Sequence, residues 1–326
     1  MAMSRRVLVG GTVLALVAAS VSGAVAQGKY PSKTVEVVVP FAPGGGTDNL
    51  MRMIVGIIDE NKWSPVPLNV VNRAGGSGAV GYTYLIGKKG DPHVIGGGAP
   101  TIVAGKVQGL IKGDHRDGIT NLVIVAVDEL LLAVKIESKY QTIEEFLKAA
   151  KDNPGKLTVG GTGTNTEDHI FTYLMEQAAG IKVKYVPFNS GGEVTTALMG
   201  GHIDSAVENP NEIVAQVEAG KAKYLAVASQ KRLKGAPNVP TFKEKGYDVL
   251  WEQMRSVVGP GNMGDEAVKW WVDVIKKVTE TKKWQEQYIE RNLLTPVFWA
   301  GEEGNQYLDS LRAKYEKALK ALGAIK

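Results

Sequence analysis

Three segments of the chain combine glycine with short hydroxyl or amide side chains in a pattern suited to holding an anion. They are Pro40-Phe41-Ala42-Pro43-Gly44-Gly45-Gly46-Thr47-Asp48, Gly160-Gly161-Thr162-Gly163-Thr164-Asn165-Thr166 and Pro187-Phe188-Asn189-Ser190-Gly191-Gly192. Glycine lacks the Cβ that would keep a backbone amide away from a ligand. Serine and threonine add compact donors. Each segment follows an apolar run and precedes a helical pattern, so its amides open a helix whose positive dipole end favours negative charge. None of the three contains Lys or Arg. An anion held there is expected to be neutralised by amides and hydroxyls, with Thr164 and Thr166 as donors. Glycine in one such turn is explained as well by tight folding; three in alternating strand–helix units favour a ligand site. Asp48 has two readings. It caps the helix behind the first turn, or it accepts N–H or O–H groups of a ligand.

Other chemistries find little support. Cysteine is absent, which removes disulfides, thiolate metal sites and Cys nucleophiles. His93, His115, His169 and His202 are too dispersed for a ligand set, so no metal is expected. His169, at the head of the helix after the second turn, is read as structural. Gly76 to Gly81 matches G-x-G-x-x-G, but Asn72-Arg73-Ala74-Gly75 precede it and position 101 is Thr where an acid is needed. No dinucleotide or other cofactor is expected. With no G-x-S-x-G and no phosphate-loop motif, no catalytic residue is assigned. An exported hydrolase using a glycine-rich turn as oxyanion hole is the rival reading, and it lacks a nucleophile motif. Trp270, Trp271 and Trp284 fit packing better than a ligand cage.

The elements that must position these turns are visible as alternating patterns. Strands are expected at 35–39, 68–71, 94–96, 122–127, 130–136, 157–160, 183–186, 203–207 and 224–228. Helices are expected at 48–60, 78–87, 142–152, 167–179, 192–199 and 212–219. Thr142 with Glu145 forms a capping box, and Gly180 stops a helix. Beyond Asp265 the pattern reads as helical. The alternation predicts an α/β fold of mostly parallel sheets flanked by helices, with ligands at the carboxyl ends of the strands.

The chain has 326 residues, enough for two domains. Lys plus Arg is 38 against 34 Asp plus Glu, a balance that proposes neither nucleic acid nor an anionic membrane as partner. Arg5 and Arg6 precede an apolar run from Val7 to Ala19, and Ala24-Val25-Ala26 follows. This is the pattern of a secretory signal peptide over 1–26, with cleavage after Ala26. No later stretch is apolar enough to span a membrane.

Taken together the blocks resemble a known family. Tyr30-Pro31-Ser32-Lys33 through Asp48, Val71 to Gly81, Gly160 to His169, Val186-Pro187-Phe188, Ala197 to Asp204 with Glu208-Asn209, and Ala219 to Tyr247 occur in the order seen in the solute-binding proteins of tripartite tricarboxylate transporters, the Bug family. The resemblance covers nearly all of the chain after the leader. It implies a two-domain periplasmic-binding-protein fold, type II-like, with the ligand cleft between domains. Domain I is expected at 27–127 and 254–326 and domain II at 128–253, with the chain crossing near 127–131 and 253–258. It implies a periplasmic, monomeric receptor that is not an enzyme and delivers a small carboxylate ligand to the membrane transporter subunits. The implied ligand-binding residues are Phe41, Ala42, Gly44, Gly45, Asp48, Thr101, Thr162, Gly163, Thr164, Thr166, Asn189, Ser190 and Asn209. Glu208 stands where Asp is common. A receptor of another transporter class would be expected to clamp its carboxylate with Arg, which the three turns lack.

Overall fold

The computed structural model describes residues 30–326; the expected leader lies outside them. Two sheets organise the chain. The first lobe opens with β1 (Val35–Val39), α1 (Gly46–Glu60), β2 (Leu68–Asn72), α2 (Ala79–Gly87), β3 (Val94–Gly98), α3 (Thr101–Val107) and β4 (Ile119–Glu129). The second lobe holds β5 (Leu131–Lys135), α4 (Ile143–Asp152), β6 (Thr158–Thr162), α5 (Glu167–Ala179), β7 (Lys184–Phe188), α6 (Gly191–Met199), β8 (Ser205–Glu208), α7 (Pro210–Glu218) and β9 (Ala222–Val227). The chain then returns through β10 (Glu252–Pro260), α8 (Asp265–Thr279), α9 (Lys282–Trp284), β11 (Thr295–Ala300) and α10 (Gly301–Ala321).

Strand orders are β11-β4-β10-β3-β1-β2 and β7-β6-β8-β5-β9. The expectation of mostly parallel sheets needs correction, because both are mixed. The β1–β2, β1–β3, β6–β7 and β6–β8 pairs are parallel, as strand–helix–strand units require. The strands at the crossing are different. β10 runs antiparallel to β3 and β4, β11 antiparallel to β4, and β5 antiparallel to β8 and β9. β11 interrupts a region whose sequence reads as helical; it carries Pro296 and pairs with an irregular register.

Local chemistry accounts for the elements. Val35, Val37, Val38 and Val39 are buried on both faces of the sheet. Leu50, Met51, Ile54, Ile57 and Ile58 give α1 one apolar face. A Cβ on Gly97 would press on Met51 at 3.0 Å, so glycine there lets α1 lie against β3. Thr142 and Glu145 form the expected capping box on α4, and Gly180 ends α5 with φ of 62°.

The lobes meet at a backbone knot. Leu130, between β4 and β5, accepts from the Ala228 amide (2.9 Å), and the Trp251 amide donates to Ala228 (3.3 Å). α10 adds a second link. Leu308, Leu311, Tyr315 and Leu319 share one apolar core with Val103 of α3 and with Leu132, Phe146 and Ile170 of the second lobe. The Tyr315 hydroxyl donates to Glu167 (3.0 Å).

Glu129 ends β4 at this junction, half-buried, with one carboxylate oxygen buried and unpartnered. Burial, then the charges of Asp128 and Glu252, push it up to about 7. The unfolded chain ionises it near pH ~4.3. Between those values the unfolded state has lost a proton that the folded state keeps, so stability falls as pH rises through that window. Glu129→Gln removes this loss. Its stability relative to wild type should improve by about 2–3 kcal/mol from about pH 4 to about pH 8 in urea melts.

Candidate functional site

The three glycine-rich turns lie at the carboxyl ends of β1, β6 and β7, each leading into a helix. The first faces the third across the gap between the lobes, and the second faces the turn before α2. A Cβ on Gly44 would stand 3.9 Å from the Gly192 Cα, and one on Gly45 3.4 Å from the Ser190 Cβ. Ser77, on the turn before α2, accepts from the Thr164 amide (3.2 Å), and Gln108 donates to the Asn165 carbonyl (3.1 Å). The Gly46 amide donates to Glu212 of α7 (2.8 Å). The lobes are therefore closed on each other. The space left beside Gly76, Ser77, Thr101 and Thr166 is about 10 Å³. A larger cavity of about 1250 Å³ lies beside the crossing strands at Glu129 and Glu252, and none of the three turns lines it. The cleft is the better candidate because amides, hydroxyls and buried charges converge there.

Each helix start in the cleft already carries its own carboxylate. Asp48 accepts from the Gly44 amide (3.0 Å), Asp168 from Thr162 (2.6 Å), Glu193 from Asn189 (3.0 Å) and Glu212 from Asn209 (3.3 Å). The turns contain no cation, but a buried one stands behind the first. Arg255 of β10 pairs with Asp128 (2.8 Å) and donates to Asn211 (3.3 Å). A Cβ on Gly46 would overlap its guanidinium. Sequence reasoning singled out Glu208 as a departure from the family pattern but missed Arg255, Glu212 and Ser77. The acids inside the first helical turns were a readable cap signal; Arg255 has none, since its partner lies 127 residues away.

The expected site residues divide. Asp48 also accepts from Arg52 (2.9 Å) and Asn72 (2.9 Å). Burial raises its carboxyl, but these bonds with that of Gly44 bring it below the usual range. Its oxygens are thus spent within the first lobe. The Thr166 hydroxyl is spent on the Thr162 carbonyl (2.5 Å). Thr164 and Asn189 are exposed; Ser190 is buried and its hydroxyl accepts from the Glu193 amide (3.4 Å). Gly163, with φ of 72°, lies against Ser77. Phe41 is buried beside Gly78, and Ala42 is half-buried. Thr101 Oγ1 and Asn209 Nδ2 are buried without partners. His169 accepts from the Asn165 amide (3.1 Å) and stacks on Tyr185, a structural role.

Acidic groups dominate the electrostatics. Glu208 is fully buried, accepts from the Thr195 hydroxyl (2.8 Å), and has its other oxygen unpartnered. Burial, then Glu212, push it well up. Burial, then Glu167 and Glu212, do the same to Asp168. Asp128 rises to about 6 through burial, offset in part by Arg255, which stays charged. Arg255→Met leaves Asp128 buried and uncompensated and should cost about 3–5 kcal/mol. Asp128→Leu combined with Arg255→Met should recover most of that in denaturant melts.

Comparisons with known proteins agree with this architecture. The family described as "Tripartite tricarboxylate transporter family receptor" matches residues 64–323. The "UPF0065 protein in gbd 5'region" of Cupriavidus necator is 24% identical over 298 residues, covering 91% of this chain and 90% of its own. The structure of the periplasmic binding protein BugD superposes with a TM-score of 0.84 at 20% identity, over 90% of this chain and 99% of that one. A protein of R. palustris solved with adipate gives 0.83 at 23% identity, over 90% and 98%.

Proposed function

This chain belongs to the tripartite tricarboxylate transporter receptor family, and on that premise we propose that its two lobes close around a small carboxylate held at the glycine-rich turns. The observation that carries this reading is the contact of helix starts from both lobes at one place, where Gly46 meets Glu212 and Ser77 meets Thr164. Amides aimed into a gap that closes are shielded from water, which strengthens their bonds to a charged ligand. The adipate held by the R. palustris protein supports a carboxylate as the ligand class.

The lobes correspond in this reading to domains at 27–127 with 254–326 and at 128–253, hinged at Leu130 and Trp251. Gly44, Gly45, Thr101, Gly163, Ser190 and Asn209 line the ligand, joined by Arg255. Asp48 serves the first turn by accepting from its Gly44 amide, and the Thr166 hydroxyl braces the second turn through the Thr162 carbonyl. The protein acts in the periplasm as a monomer after removal of its leader, and presents its closed form to the membrane subunits of the transporter. It binds its ligand without transforming it. Among the described residues no helix is long and apolar enough to cross a membrane.

A thermal-shift screen of dicarboxylates, tricarboxylates, aromatic acids and amino acids tests this reading. A ligand at 100 times its Kd adds about 2.7 kcal/mol to stability, a rise of roughly 5 °C or more in Tm for a chain of this size. At least one acid should produce it, and a chelator should not abolish it. A response confined to neutral sugars would overturn the reading.

A further inference from the structure

Glu212 belongs to the second lobe, yet its carboxylate sits on the first amide of α1 in the other lobe (2.8 Å). The amide at the start of its own helix donates to the second oxygen (3.3 Å). A Cβ on Gly191, at the start of α6, would overlap the same carboxylate. Three helix starts thus meet at one acid. Glu208, on the strand before α7, is fully buried and keeps one oxygen without a partner, and the charge of Glu212 helps to push its carboxyl well up. Arg255 Nε and Asn209 Nδ2 are buried donors, also without partners. The cleft therefore holds unspent acceptors as well as unspent donors. A ligand bearing only carboxylates satisfies the donors, but its negative charge is repelled by Glu212 at short range. A ligand carrying an ammonium group beside its carboxylate satisfies both sets.

We propose that Glu212 sets the ligand class: the cleft selects an amino acid, whose ammonium group donates to Glu212 while its carboxylate is taken by Arg255 and the turn amides. This rests on the receptor reading above and adds to it the polarity of the second ligand group. Glu212 contacts the ligand in this scheme and determines specificity.

Matched pairs that differ only in the amino group test it by titration calorimetry: aspartate with succinate, glutamate with glutarate, phenylalanine with 3-phenylpropanoate. Wild type should bind the amino member of at least one pair tenfold or more tighter. Glu212→Gln keeps an oxygen for the Gly46 amide but loses the charge, and should erase that preference by weakening the amino member and strengthening its partner. Glu212→Ala removes the charge and both amide bonds together, should erase the same preference, and serves if the first variant does not fold. Equal binding within every pair, or tighter binding of the deaminated members by wild type, would overturn the proposal. So would a Glu212→Gln variant that binds both members of a pair more tightly by the same factor, since Glu212 would then be a latch that any ligand displaces. If no acid binds wild type or either variant, the receptor reading itself fails and takes the proposal with it.

Discussion

Among the described residues Arg255 is the single buried Lys or Arg, set against six buried carboxylates: Asp48, Asp114, Asp128, Glu167, Asp168 and Glu208. That imbalance constrains the centre of the molecule. Asp128 pairs with the guanidinium directly, and its field lowers the cost of Glu167 and Asp168 as well. Asp128 and Arg255 sit on β4 and β10, the antiparallel strands that carry the chain to and from the second lobe. Asn211 reaches the same guanidinium from α7, and Gly46 lies against it from α1. One cation thus touches both crossing strands and both walls of the cleft. A buried pair of this kind contributes little net stability; its role here is to fix where the strands and helix starts meet.

Much of the fold follows from local patterns that the sequence displays openly. Thr142 with Glu145 starts α4, and Gly180 ends α5, because caps are decided by residues a few positions apart. The strand–helix units around β1 and β6 read correctly for the same reason. The strands at the crossing do not. β10 owes its position to antiparallel partners more than a hundred residues away, and β11 contains a proline and an irregular register that hide its period. The mixed character of both sheets follows from those strands and has no local signature.

The turns of the candidate site were legible in the sequence, and the charged groups around them were not. Glycine and hydroxyl content located the turns, since backbone access depends on residue type alone. What occupies those amides depends on side chains one helical turn further in. Asp48, Asp168, Glu193 and Glu212 each reach back to an amide at or just before the helix start. Composition within a turn cannot distinguish a cradle open to a ligand from one filled by the chain itself. Arg255 reaches the first turn from a distant strand.

The helix α10 carries a consequence for the order in which the molecule can be assembled. Residues 308–319 complete an apolar core whose other members lie in α3, on the crossing strands β4 and β10, and in the second lobe, and they are synthesised after all of them. Folding units generally form as they emerge during synthesis, but this core stays open on one side until α10 arrives. Until α10 docks, that side of the second lobe exposes apolar surface to water, so the lobe reaches its full stability only with a helix that belongs to the other end of the chain.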